Sequence, residues 1–347
     1  MLVVKVKTKY AESAKKYLSV HTLIDNNYNV LGSNYFIYFP IKSITTKELE
    51  ILKKRFKATI VNKKLEFRNS NKSYVELLKK ILGDKFDTAP RGFEILGSLA
   101  IIDAEKDIAK KIATVIFSVN TNIKTVVRKA GSVKGRYRKR TYEYVAGDKT
   151  FDVLYRENGV VLKFDLRDTF FSTRLAFERK RIATLSKGDE NVIVMFAGVG
   201  PFAIEIAKHN KNSKVVAIEI NRNAVRYMKE NIKINKVENV IALSGDVNKK
   251  ILGYKNFADR IVMPLPKDSG SFLDAVVYAA SESCIVHYYA FVDLDGGAKE
   301  LENKLKTFFE KKNFKFESVF IRTVRPYSPN IIEIVIDFKI MRKKSKK

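Results

Sequence analysis

The chain has 347 residues, 46% of them hydrophobic, which is enough for two or three domains with real cores. Its 66 Lys+Arg against 38 Asp+Glu leave a formal charge of +28, a surplus that points to a polyanionic partner, held by counterion release, and argues against a small-molecule substrate alone. One cysteine, Cys284, excludes an internal disulfide, and three scattered histidines offer no metal cluster. The N-terminus MLVVKVKTKY lacks signal-peptide architecture and no apolar run approaches a membrane span, so the expectation is a cytoplasmic protein with no membrane partner and no metal.

Residues 1–76 read as a small α+β domain. LVVKV and ATIVNKKLEF are strands, ESAKKYLSVHTLI is an amphipathic helix, and TTKELEILKKRF is a helix opening on a threonine cap. The stretch Arg68-Asn69-Ser70-Asn71-Lys72-Ser73 has linker composition. Residues 77–165 read as a second α+β domain. RGFEILGSLAIIDA is strand-like around Gly97, and DAEKDIAKKIATVIFSV is a helix with Ile108, Ile112 and Ile116 on one side. GSVKGRYRKRTYEYVAG interleaves basic and aromatic side chains, which suits RNA phosphates and bases; a solvated hairpin face has the same composition. DKTFDVLYRENGVVLKFDL makes two strands around Glu157-Asn158-Gly159. In RDTFFSTRLAFERKR, Arg174 and Glu178 stand four apart on a helix, and the plain reading is a surface ion-pair network.

Residues 166–347 form the third domain, organised around NVIVMFAGVGPFAIEIAKHNKNSKVVAIEIN. A buried strand, a small-residue turn, a helix and a second strand ending on Glu219 make a βαβ unit for a nucleoside cofactor. Gly198 and Gly200 let backbone approach the ligand, and Glu219, 19 residues past Gly200, is placed for ribose hydroxyls. The pattern also fits a loose dinucleotide fingerprint. Pro201 lacks the N–H a pyrophosphate would use, which favours a ligand without phosphates such as S-adenosyl-L-methionine. Further along, Asn221 caps a helix, NVIALSGD is a strand ending on Asp246, and FADRIVMPLPKD is a strand stopped by Pro264 and Pro266. SCIVHYYAFV follows, then a helix, then two strands joined through Arg325-Pro326-Tyr327-Ser328-Pro329. The expected fold is α/β: a Rossmann-like, seven-stranded, mostly parallel sheet with an antiparallel end, preceded by two smaller α+β domains. The carboxyl ends of its strands collect a cofactor site from Phe196, Ala197, Gly198, Val199, Gly200, Pro201, Glu219, Ile220, Asp246, Val247 and Pro264. Asp246 there is either a contact to adenine or a turn residue.

At RGFEILGSLAIID, GRYRKRTYEYVAG, RENGVVLKFDLRDTFFSTRLAFERKRI, MFAGVGPFAI, NIKINKV, HYY and VRPYSP, residues 90–335 resemble the archaeal and eukaryotic tRNA guanine-37 N1-methyltransferases. The resemblance implies a class I methyltransferase domain, an N-terminal domain gripping the tRNA elbow, and a middle domain that helps enclose the anticodon loop. It implies methyl transfer from S-adenosylmethionine to N1 of guanosine 37 by a monomer. Glu178 matches the family's general base, and Arg138 matches the arginine that steadies charge at guanine O6. Arg136, Arg174, Pro264, Pro266, Arg325 and Tyr327 fall where substrate contacts are expected. Pro264-Leu265-Pro266 stands where Asn-Leu-Pro is usual and resembles an archaeal subgroup, some of whose members also methylate C7 of the tricyclic wyosine precursor. Val194 replaces an acid, and Phe170 a tyrosine. The alternative reading is a tRNA-binding protein with a degenerate cofactor site, for which the absent asparagine and Val194 are the support.

Overall fold

A computed structural model describes residues 1–25, 27–33, 35–65, 74–131 and 140–343. The linker stretch 68–73, together with Arg136 and Arg138, lies outside the described residues. The chain divides into two compact units, Met1–Asp87 and Thr88–Lys347. The boundary expected at residue 76 falls inside the helix Tyr74–Leu82. Linker composition ends just before that helix, whereas the units part after it.

In the first unit an antiparallel sheet runs in the order Leu31–Gly32, Phe36–Pro40, Leu2–Lys7, Thr59–Asn62. The helices Ala11–Val20 and Thr46–Phe56 contribute Leu18, Leu52 and Phe56 to a core with Val4, Val6 and Phe39. Thr45 and Glu48 cap the second helix reciprocally, the Glu48 carboxylate accepting from the Thr45 N–H at 2.8 Å.

The second unit begins with a sheet of Glu94–Leu96, Leu99–Ile102, Thr125–Lys129 and Tyr142–Gly147, with the helix Lys106–Val119. The hairpin Asp152–Glu157 and Val160–Asp165 turns on Asn158 (φ 46°) and Gly159 (φ 78°), both left-handed, as a tight two-residue turn requires.

The main sheet holds β1 (Asn191–Met195), β2 (Lys214–Glu219), β3 (Val240–Ser244), β4 (Ala258–Met263), β5 (Ala280–Asp293), β6 (Phe314–Ser328) and β7 (Ile331–Arg342). Their order is β3-β2-β1-β4-β5-β7-β6, with β7 antiparallel to both neighbours and the first four pairings parallel. The segment Arg325–Ser328, expected as a connection, is the end of β6: Pro326 sits opposite Ile332. An edge strand tolerates a proline, which has no N–H to offer the ladder, and β6 is that edge.

Successive strand residues alternate between faces. One face buries Val192, Val194, Val262, Tyr289 and Val335 beneath α1 (Ala176–Leu185), α2 (Pro201–His209) and α3 (Arg222–Ile234). The other buries Ile193, Ile261, Val286 and Ile336 beneath α4 (Leu273–Ala279) and α5 (Gly297–Lys311). The first core continues without a break into Leu96, Leu99, Val127, Leu162 and Phe164 of the preceding sheet and hairpin. Asn231 and Asn235, one turn apart on α3, pin that hairpin: Asn231 Oδ1 accepts from the Lys163 N–H at 2.7 Å, and Asn235 Oδ1 from the Val161 N–H at 2.8 Å. The Asn231 amide also donates to the Val199 carbonyl at 3.0 Å. The two buried asparagines of NIKIN thus tie the hairpin to the glycine turn.

Candidate active site

At the carboxyl ends of β1, β2, β3 and β4 lies a cavity of about 440 Å³, a size suited to a nucleoside ligand. Phe196, Gly198, Glu219, Ile220, Asp246, Val247 and Pro264 line it, as the sequence pattern leads one to expect. Four expected residues do not. Ala197 and Val199 are buried. Pro201 opens α2 as its first residue. At Gly200 a Cβ would come within 2.8 Å of Met228 Cγ, and φ is +90°. Close packing of turn against α3 therefore requires this glycine, whereas Gly198 (φ +57°) is the one that keeps the cavity wall open.

Glu219 is held rigidly. Its Oε2 accepts from the Gly198 N–H at 2.8 Å and its Oε1 from the Asn221 N–H at 2.8 Å. Burial raises its carboxyl above the ordinary range, against the pull of those N–H groups. Each oxygen keeps a second acceptor site, so the group retains capacity for a pair of hydroxyls. Asp246 caps a short helix by accepting from the Asn248 N–H at 2.9 Å, the turn role, and it also lines the cavity.

None of the remaining wall residues is assigned to the cofactor from the sequence. Phe272 meets Phe196 edge-on at 4.7 Å between ring centroids. Asn221, legible as a helix cap, also donates to the Asp168 carbonyl at 2.7 Å, which brings Phe170 to the rim. Phe196 (φ +56°) and Asp268 (φ +67°) are lining residues in left-handed backbone, conformations a side chain adopts at a cost and that recur at ligand sites. Lys267 and Ser271 complete the loop after β4. Val194 faces the core and is absent from the wall.

Glu178 lies outside the cavity wall and is 1% exposed, which corrects the surface reading of its segment. Arg174 sits in a 3-10 turn, Thr173–Leu175, ahead of α1, so the four-residue helical spacing to Glu178 does not form. Instead Glu178 Oε2 accepts from Arg181 Nε at 3.0 Å, Arg181 NH2 at 2.9 Å and the Tyr289 hydroxyl at 2.9 Å, while Oε1 accepts from Arg322 at 3.1 Å. Burial and the adjacent carboxylate push the Tyr289 phenol well above its ordinary value, so it stays a donor. Arg181 also donates to Asp337, which bonds His287, which bonds Arg260, which pairs with Glu190. This chain crosses the sheet face under α1. Three carboxylates balance three guanidiniums in it, as a buried ionic cluster requires.

Two residues expected at the substrate, Arg325 and Tyr327, lie at the far end of β6, beside the end of β5. Tyr327, 58% exposed, packs on Phe291 at 4.2 Å between centroids, and the Phe291 N–H donates to the Pro266 carbonyl at 3.1 Å. Arg325 Nε donates to the buried Glu333 at 2.6 Å. Among the described residues no group of three or more His, Cys, Asp or Glu could hold a metal, and no helix is long and apolar enough to cross a membrane.

Three family models match the chain: the TRM5/TYW2 methyltransferase domain over residues 153–317, the TYW2 N-terminal domain over 74–150, and the tRNA methyltransferase 5 N-terminal domain over 4–50. The tRNA (guanine(37)-N(1))-methyltransferase Trm5b of Pyrococcus abyssi is 34% identical, covering 98% of this chain and 99% of the relative. The tRNA 4-demethylwyosine(37)-methyltransferase Taw21 of Saccharolobus solfataricus is 32% identical over 76% of this chain and 99% of its own length. The solved complex of aTrm5 and tRNALeu has a TM-score of 0.68 at 30% identity, covering 98% of this chain and 99% of that one.

Proposed function

The chain belongs to the TRM5/TYW2 methyltransferase family, and from that premise we propose that it transfers a methyl group from S-adenosylmethionine to N1 of guanosine 37 in tRNA. The cavity built on Glu219 carries this reading: a buried carboxylate fixed by two backbone N–H groups, beside an N1 proline where a phosphate would need a donor. Bound there, S-adenosylmethionine supplies an electrophilic methyl on a sulfonium. Glu219 would take the ribose hydroxyls, Asp246 the adenine amine, and Phe196 and Phe272 the apolar face of the base. Glu178 is the proposed general base for the N1 proton. Its Oε1 is the oxygen to receive it, because Oε2 already accepts from Arg181 and Tyr289, whereas Oε1 accepts from Arg322 and keeps a second acceptor site. Arg138 would neutralise the charge that develops on O6. Arg136, Arg174, Arg325 and Tyr327 would hold the anticodon loop, and residues 1–87 the elbow of a tRNA bound by one monomer. The degenerate-site alternative loses a support, since Val194 packs in the core and is no part of the cavity wall.

The Pro264-Leu265 wall favours a second substrate at the same site, the tricyclic precursor methylated at C7: both residues line the cavity and neither offers a side-chain polar group to a guanine edge. Similarity to a demethylwyosine methyltransferase supports it. Mass spectrometry of two tRNAs side by side, one with guanosine 37 and one with the precursor, should find N1 methylation in the first. Transfer to another nucleotide would overturn the position. Methylation of the first tRNA alone would confine the enzyme to guanosine.

A further inference from the structure

The HYY segment has no part in the cofactor seat, yet it places two side chains in the charge cluster. His287 and Tyr289 stand two apart on β5 and share the face under α1, while Tyr288 turns to the opposite core. His287 lies directly opposite Asp337 in the β5–β7 register, and its Nδ1 is 2.7 Å from Asp337 Oδ1. On the other side of the ring, Nε2 is 2.7 Å from an Arg260 nitrogen. A guanidinium only donates, so Nε2 must be the acceptor. The ring's one hydrogen is then on Nδ1 and is donated to Asp337. Burial lowers the imidazole's affinity for a second proton, in agreement with this neutral tautomer.

From Asp337 the chain leads to Glu178 through one residue. Arg181 donates to both Asp337 oxygens with one part of its guanidinium and to Glu178 Oε2 with another. Its plane is therefore set by two carboxylates. Without the short His287 contact, Asp337 Oδ1 is left with the longer one from Arg181 at 3.3 Å, and the carboxylate can rotate and take Arg181 with it. Stability alone does not account for such a cluster, because a well-packed apolar replacement of a buried ionic set is often as stable or more so.

We propose that His287 is a positioning residue for methyl transfer: by donating from Nδ1 to Asp337 it fixes Arg181, and so holds Glu178 with Oε1 turned toward the base it deprotonates. The proposal rests on Glu178 as general base. The test is single-turnover methyl transfer to guanosine-37 tRNA with enzyme, S-adenosylmethionine and tRNA saturating. His287→Asn keeps a donor near the Nδ1 position and loses the Arg260 contact. His287→Gln reaches Arg260 and removes the short imidazole donor from Asp337 Oδ1, leaving the 3.3 Å contact from Arg181. His287→Gln is expected to slow transfer about tenfold to a hundredfold, the scale of a misplaced catalytic group. His287→Asn should stay within about threefold of the parent, and both should keep cofactor and tRNA affinity within about twofold. In a Glu178→Gln background, His287→Gln should add no further loss.

Equal rates for the parent and both histidine variants overturn the proposal. So does equal slowing of both with lost cofactor affinity, the mark of a role in packing only. A Glu178→Gln enzyme as fast as the parent removes the base itself, an outcome distinct from a slow Glu178→Gln with an unaffected His287→Gln. Should a histidine variant fail to fold, Arg181→Lys substitutes: it keeps the charge but loses the planar fork that holds both carboxylates in fixed geometry, and must show the same loss of rate with retained affinity.

Discussion

Glu219 has one acceptor site on each oxygen filled by backbone before any ligand arrives. A Glu219→Gln change puts an amide NH2 against the N–H of Gly198 or Asn221, so it disturbs the turn as well as removing charge. We expect cofactor affinity to fall about tenfold to a hundredfold, the cost of a charge-assisted hydrogen bond, as read by calorimetry; unchanged affinity would remove Glu219 from the site. This residue is legible in the sequence because the glycine turn, helix and strand that place it are contiguous. Glu178 is not legible in the same way. In RLAFERKR it reads as one acid in a solvated basic run. Its burial depends on Tyr289 and Arg322, which lie 111 and 144 residues further on, and no local pattern encodes that meeting. Only resemblance to a family singles it out. Phe170, Lys267 and Asp268 likewise reach the cavity through tertiary placement.

At the scale of elements, the apolar period of α2 reads correctly as a buried helix, yet it carries an anomaly. Glu205 is 5% exposed, and its Oε2 has no hydrogen-bond partner among the described residues. Burial, with Glu157 nearby, pushes its carboxyl up to about 7, against the opposing pull of Asn158 and Arg179. Between the ordinary carboxyl value and about 7 the folded state keeps a proton that the unfolded chain has released. Stability therefore falls as pH rises through that window. Melting at about pH 5 and about pH 8 should show the parent losing stability at the higher pH and Glu205→Gln losing less; parallel losses would refute the assignment. The strands of the main sheet were legible from their β-rich runs, including the antiparallel end. The end of β6 was not, since Pro326 and Pro329 read as a turn, and only an edge position lets a strand continue through a proline. The NIKIN segment enters the sequence reading only through the family resemblance, with no role for its asparagines. In the fold they bond backbone of the hairpin, as a neighbouring strand would.

Across the whole molecule, residues 1–87 hold 18 of the 66 Lys+Arg and 8 of the 38 Asp+Glu, so both compact units carry a positive surplus. Each should release counterions from tRNA. Deleting residues 1–87 is expected to weaken tRNA binding by about tenfold or more and to flatten its dependence on salt, with cofactor affinity unchanged. Affinity that survives the deletion would rule out an elbow-binding role. The surplus itself was legible from composition; the number of independent bodies was not. Three segments, 1–76, 77–165 and 166–347, differ in character along the chain, but the second and third share one core, because Leu162 and Phe164 of the hairpin pack with Val192 and Val194 of β1. That continuity limits how such proteins exchange parts. A chimera cut near residue 165 would sever a common interior and leave Asn231 and Asn235 facing a foreign backbone. The hairpin, the sheet before it and the cavity-bearing sheet thus form a single cassette that a chimera should carry whole.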